Sequence, residues 1–308
     1  MNIQQLRYIC EVARTGLNVS KAAQALHTSQ PGISTQIRQL EEELGFAIFL
    51  RKQNRLAGIT PEGAAVIAHA QRSLKEVAAI REIGRHRSQS QSGTLVVAAS
   101  HTQARFILPR VLQQFVQRYP DVEVTVCQGG GRQTAEILNA AEADVGILSS
   151  MSGITDELQA IPCHTYQRVL LVPPGHPLLA AGQPTLADIA QYPMVLYEPS
   201  KTGAEVIEAL RARELDMPAI LRAPNADVVK AYVEHGLGIA ILPSITFDAA
   251  RDPGLRAIDM SHVFPDNATY VVLHRKNYLR EYGYHFIEML EPRLTRDVVE
   301  RAMAPPAR

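Results

Sequence analysis

Residues 18–45, NVSKAAQALHTSQPGISTQIRQLEEELG, decide how the N-terminal part of this chain folds. Asn18 is a side-chain acceptor suited to opening a helix, and Ala22, Ala23 and Leu26 then fall on one apolar stripe. His27-Thr28-Ser29 breaks that run. Ser29 can cap a second helix whose first turn holds Pro31, where a missing N–H costs little. Ile33, Ile37, Leu40 and Leu44 recur at three-to-four spacing up to Gly45, which offers a left-handed stop. The small Ala22-Ala23 pair lets the two helices approach closely, as a helix-turn-helix requires. Gln30, Ser34, Thr35 and Arg38 face away from the stripe, at the end that would enter a major groove. With Thr28, Ser29 and Pro31 at the turn they form the candidate DNA-reading set. An ordinary helical hairpin with a solvated polar face would share much of this pattern.

Upstream, residues 3–14 form a helix with Ile3, Leu6, Ile9, Cys10 and Ala13 on one face, completing a three-helix core. Downstream, FAIFLRKQNRLAGIT (46–60) alternates as a two-stranded wing with Arg51, Lys52, Gln53 and Arg55 at its tip. A basic tip can meet phosphate or minor groove, although a solvated charged turn has the same composition. Glu41–Glu43 belongs on solvated surface or in pairs within the domain. A long helix then runs from Pro61 to about residue 84, with Ile67, Ala70, Leu74 and Val77 as a seam that finds no partner in the N-terminal block. Such a seam is expected to pair with a second copy. GRHRSQSQSG (84–93) abandons periodicity and reads as a hinge. The expected division is a winged helix-turn-helix at 1–60, a dimerisation helix and hinge at 61–90, and an effector-binding domain at 91–308.

The formal net charge of zero conceals an asymmetry. Residues 1–93 hold 12 Lys/Arg against 7 Asp/Glu, and the rest holds 19 against 24. A basic block on an acidic body suits a small nucleic-acid-binding domain carried by a larger one. Cys10, Cys127 and Cys163 are widely spaced with no CxxC, and Cys163-His164 has no second pair to form a metal site. Neither a GxSxG elbow nor HExxH occurs, and Gln128-Gly129-Gly130-Gly131 is not a phosphate-binding glycine loop. The chain is therefore read as a non-enzyme with no cofactor and no metal. No apolar stretch approaches a membrane span, and MNIQQLRYIC starts an amphipathic helix, which leads us to expect a cytoplasmic protein.

From residue 94 the rhythm becomes alternating strands and helices, an α/β pattern with parallel or mixed sheets. About 200 such residues exceed one ordinary unit, so two lobes flanking a cleft are expected, lobe I at about 91–163 and 268–295 and lobe II at about 164–267. Three strand ends carry clustered hydroxyls: Ser100-His101-Thr102-Gln103, Ser149-Ser150 and Ser200-Lys201-Thr202-Gly203. Ligands of open α/β sheets bind at such ends, and helix N-termini with small hydroxyls favour an anion. Ser and Thr are also ordinary helix caps, which would account for any one cluster alone.

Together these features resemble the LysR-type transcriptional regulators over nearly the whole chain. The resemblance rests on AAQALHTSQPGISTQIRQLEEELG, on Phe49 and Arg51, and on Ile59-Thr60-Pro61-Glu62-Gly63. Within the family, QQLRYI (4–9), LNVS (17–20), HTQARF (101–106), FVQRYPDV (115–122) and LTRDVV (294–299) look closest to the cysteine-regulon and sulfonate-utilisation regulators. The resemblance implies a two-lobed domain like periplasmic binding proteins and a homodimer or homotetramer on promoter DNA, with RNA polymerase as a further partner. It also implies activation of sulfur-assimilation genes in response to acetylserine-type inducers, sulfate, thiosulfate or sulfonates. The subgroup's effector positions fall on Ser100, Thr102, Gln103, Ser149 and Thr202, and Gln128 is placed with them. Ser100 and Ser149 stand where threonine is usual, and Glu198 and Lys201 charge a segment that is mostly uncharged in the subgroup.

Overall fold

The computed structural model describes residues 1–53, 55–85, 92–198, 200–216 and 219–304, which divide into an N-terminal unit and a larger C-terminal one. In the first, α1 (Ile3–Arg14) opens on a capping box: Asn2 Oδ1 accepts from Gln5 N, and Gln5 Oε1 accepts from Asn2 N, each at 2.9 Å. Asn18 caps α2 (Val19–Ala25), and Ser29 caps α3 (Gln30–Leu44), whose second residue is Pro31. Gly45 ends α3 with φ of 78°, a conformation that costs glycine no strain. Strands β1 (Phe49–Lys52) and β2 (Arg55–Ile59) pair antiparallel as the wing, with a bulge at Leu50/Arg51. Thr60 then accepts from Gly63 N at 2.9 Å and opens α4 (Pro61–Arg85).

Ile9, Val12, Ala22, Ala23, Ile33, Ile37, Leu40, Ile48 and Phe49 form the core of this unit. Two expectations are corrected by it. On α1 the buried face is Gln5, Tyr8, Ile9 and Val12, while Ile3 is exposed, because the capping box turns Gln5 inward. On α4 the seam divides. Ile67 and Ala70 are buried in the core that includes α1, so they do have a partner in the N-terminal block. Leu74 and Val77 are half-buried and Ile80 is 67% exposed, so burial of the seam falls off toward the later turns. The hinge expected at 84–93 lies largely outside the described residues.

The C-terminal unit begins with β3 (Gly93–Ala99), a π-helical turn over Gln103–Ile107, α5 (Leu108–Arg118), β4 (Val122–Gln128), α6 (Gly131–Asn139), β5 (Val145–Leu148) and β6 (Leu158–Tyr166). The chain then crosses to β7 (Arg168–Val172), α7 (Leu186–Ile189), β8 (Met194–Tyr197), α8 (Lys201–Arg211), β9 (Ala219–Ala223), α9 (Ala226–Glu234), β10 (Ala240–Pro243) and β11 (Arg256–Asp259). It returns through β12 (Asn267–His274), α10 (Glu281–Leu290) and α11 (Arg296–Met303).

Lobe I is a sheet of order β4-β3-β5-β12-β6, parallel among β4, β3 and β5 and antiparallel beyond. Successive β3 side chains point to opposite faces, so Val97 and Ala99 join Phe115, Phe286 and Val299 under α5, α10 and α11, while Ala98 joins Leu138 of α6. Lobe II pairs β10-β7-β11 antiparallel and β8-β9 parallel, and a parallel bridge at Met194 and Ile239 joins the two sets. The expected α/β architecture with two lobes is therefore present, with different limits. The division expected at 163/164 falls inside β6, and the crossing lies at Tyr166–Arg168. The last segment of lobe I continues past 295 through α11, where Val299 is 1% exposed. Strands β6 and β11 had no clear pattern: Pro162 interrupts the first, and the second is four residues long with two exposed.

Candidate functional site

In the N-terminal unit the DNA-reading candidates lie on α3, on the turn before it and on the wing. Gln30, Pro31, Thr35 and Arg38 are exposed along α3, whereas Ser34 and Thr28 are half-buried at its edge. Ser29 is occupied in part as a cap, accepting from Gly32 N at 3.3 Å. Lys52 is exposed on the wing, and the side chain of Arg55 lies outside the described residues. Arg51 is partly committed: its guanidinium donates to Glu41 at 2.7 Å. Glu41 is buried and also accepts from Ile48 N and Phe49 N, so it ties the wing's root to α3. Of the acidic run, this one residue is structural, while Glu42 and Glu43 are exposed.

In the C-terminal unit a cavity of about 390 Å³ opens between the lobes, within the range of small-ligand sites. Five effector candidates line it: Ser100, Thr102, Gln128 and Ser149 from lobe I, and Thr202 from lobe II. They come from strand ends and helix starts. Helices α6, α8 and α9 all begin at the cavity, with Gly131, Ser200 and Asn225 at their first positions or caps, and their free N–H groups give it positive potential. Gly203 allows α8 to start hard against β8, since a Cβ there would lie 2.1 Å from Tyr197 O.

The sixth candidate, Gln103, is fully buried and stands behind the lining. Its Nε2 donates to Ser149 Oγ at 3.4 Å and to Thr269 Oγ1 at 3.2 Å. It orients a lining hydroxyl from behind. Ser200 likewise serves as a cap, accepting from Gly203 N at 2.9 Å while donating to Tyr197 O at 2.6 Å.

Two tyrosines were missed. Tyr197 closes β8 and shares a buried hydrogen bond of 2.9 Å with Thr102, linking the lobes. Tyr166 closes β6 and bonds Ser149. Burial raises the pKa of both phenols, so near neutral pH they remain O–H groups able to donate to an anion. The available signal was an aromatic hydroxyl ending a strand that reaches the cleft. His101, at the rim, has Nδ1 2.8 Å from Gln128 Nε2. Cys163 and Cys10 offer no nucleophile: burial pushes the Cys163 thiol up to about 12 and the Cys10 thiol up to about 11. Among the described residues no group of three His, Cys, Asp or Glu could hold a metal ion, and no helix is long and apolar enough to cross a membrane.

Residues 3–64 match the bacterial regulatory helix-turn-helix proteins of the lysR family, and residues 88–295 match the LysR substrate binding domain. The chain is 40% identical to the transcriptional regulator CysB of Burkholderia cenocepacia over 98% of its own length and 97% of that protein's. It is 39% identical to the regulator SsuR of the same organism, over 96% of each chain. The crystal structure of the cofactor-binding domain of the Cbl transcriptional regulator superposes with a TM-score of 0.65 at 32% identity, covering 70% of this chain and 94% of that one. Two family domains in the expected order and near-full-length similarity to named regulators lead to one conclusion: the chain belongs to the LysR family of helix-turn-helix transcriptional regulators.

Proposed function

We propose that this regulator responds to a small anion of sulfur metabolism, an acetylserine-type carboxylate, sulfate, thiosulfate or a sulfonate, and controls genes of cysteine biosynthesis or sulfur assimilation. One observation carries the reading: the cavity joins hydroxyls from both lobes to the starts of three helices, and no carboxylate lines it among the described residues. An acidic or apolar ligand cage would be built otherwise; this one is made of neutral donors and the ammonium of Lys201 around positive helix ends. Relatedness to CysB and SsuR supports the sulfur assignment. Double-stranded operator DNA is bound through α3 and the wing, in a homodimer or homotetramer formed through the later turns of α4, and RNA polymerase is engaged at activated promoters. The protein works in the cytoplasm. Effector binding changes the relation of lobe I to lobe II and so the placement of the DNA-binding units, a coupling that must be reciprocal.

Calorimetry of the full-length protein against acetylserine, sulfate, thiosulfate and an alkyl sulfonate tests this. Binding of at least one, with a shift in operator affinity of the same factor that DNA exerts on the effector, is expected. If none binds and none alters operator affinity, the sulfur reading is lost and the chain is a LysR-family regulator of another pathway.

A further inference from the structure

We infer that Lys201 makes the cavity select doubly charged anions over singly charged anions of the same shape. The inference rests on the small-anion reading of this cavity and specifies its charge class. Lys201 is the first residue of α8, and among the described residues it is the one lysine or arginine lining the cavity. Its Nζ is 3.8 Å from Glu205 Oε1, a distance that leaves the ammonium weakly held. The other oxygen of Glu205 accepts from Arg168, which is 1% exposed and also donates to Pro265 O at 2.5 Å. A guanidinium removed from water requires a counter-charge far more than an ammonium that keeps 35% of its side-chain surface. Glu205 is therefore the counter-ion of Arg168, and the charge of Lys201 is left for the cavity.

The neighbouring carboxylates are engaged in the same way by cations outside the lining. Glu198 pairs with Arg222, and Asp227 lies 3.3 Å from Arg105 Nε, with Nε2 of the lining His101 at 3.6 Å from the same carboxylate. Hydroxyls and phenols bond a monoanion and a dianion through the same geometry, and the helix starts add only partial charges. The full charge of Lys201 discriminates between them, because its attraction doubles with the charge of the ligand.

The test is calorimetry of the full-length protein with sulfate, a dianion near neutral pH, and methanesulfonate, a tetrahedral monoanion, at one ionic strength. Wild type is expected to favour sulfate, and Lys201→Gln to lose roughly a hundredfold in sulfate affinity but only about tenfold in methanesulfonate affinity, so that the preference falls about tenfold while retained binding of both shows that the cavity is intact. Lys201→Arg is expected to restore the preference. An unchanged sulfate-to-methanesulfonate ratio in Lys201→Gln would overturn the assignment to Lys201 while leaving the anion site standing. If neither anion binds the wild type, the small-anion reading fails first, and the inference falls with it.

Discussion

The two proposed recognition surfaces of this protein hold their polar groups in opposite states. Along α3 the side chains of Gln30, Thr35 and Arg38 project into water. In the cavity Thr102 and Thr202 are 5% and 3% exposed, and Thr102 is already bonded to Tyr197 across the lobes. On the proposed reading, a DNA base edge would replace water on the first surface. An effector that bonds Thr102 would replace a protein–protein hydrogen bond on the second. Discrimination on the helix therefore comes from donor and acceptor pattern, with phosphate contacts adding a salt-dependent term. Discrimination in the cavity comes from shape, from charge and from the bonds surrendered on entry.

If the two surfaces are built as differently as this, substitutions should separate them. The largest effect is expected from Gly203→Val, which forces backbone apart where α8 meets β8; a cost of about 3 kcal/mol is expected. Thermal unfolding should show a destabilised C-terminal unit and calorimetry a lost anion site, while operator binding without effector persists. Retained anion affinity would show that α8 can shift without consequence. Leu74→Glu comes next, since it places a charge on the half-buried later part of the α4 seam. Light scattering should report a smaller assembly and gel shifts a weaker paired-site complex, with anion affinity per chain unchanged; an unaltered mass would remove α4 from the dimer interface.

Arg38→Ala, and Ser34→Ala beside it, should weaken specific DNA binding by roughly 1–3 kcal/mol if the side chain reads a base edge. Operator affinity equal to wild type at fixed salt would rule that face out. Thr102→Val should act in the other direction, sparing DNA and weakening the anion. Its effect is expected to be smaller, about 1 kcal/mol, because the hydroxyl's bond to the ligand is exchanged for one it already makes to Tyr197. A loss as large as that of Arg38→Ala would mean that the Thr102–Tyr197 bond contributes little to the unliganded state.

What could be read from sequence follows the same division. The helix-turn-helix is local: Asn18, Ser29, Pro31 and Gly45 each act within a turn of their own position, and each occupies the role its chemistry implies. The strand-end hydroxyls were legible for the same reason. Their partners were not, since Thr102 meets Tyr197 from 95 residues away. Gln103 carries a residue type that suits a ligand, yet its burial behind Ser149 is set by β12, which supplies Thr269. The seam of α4 shows how periodicity can mislead. An apolar repeat specifies a face, and only the packing of α1 decides that Ile67 and Ala70 are core while Leu74 and Val77 stay half-buried.

The π-helical turn at Gln103–Ile107 has a consequence for chain length. Bonds that reach five residues back make this turn hold one residue more than an α-helix of the same rise. That surplus is absorbed between Thr102, which faces the cavity, and α5, which is anchored by Val111 and Phe115 in lobe I, so both ends keep their angular phase. Deleting Ala104 would let the turn relax to ordinary helix with Thr102 still at the cavity and α5 in place, the change being confined to the turn's own residues, among them Phe106, which packs against the lobe II core. Calorimetry of that deletion should show anion binding retained, and abolished binding would mean that the turn's own residues hold the cavity's shape. Turn length here is thus a silent variable: two chains that differ by one residue in this turn can offer their effectors the same groups.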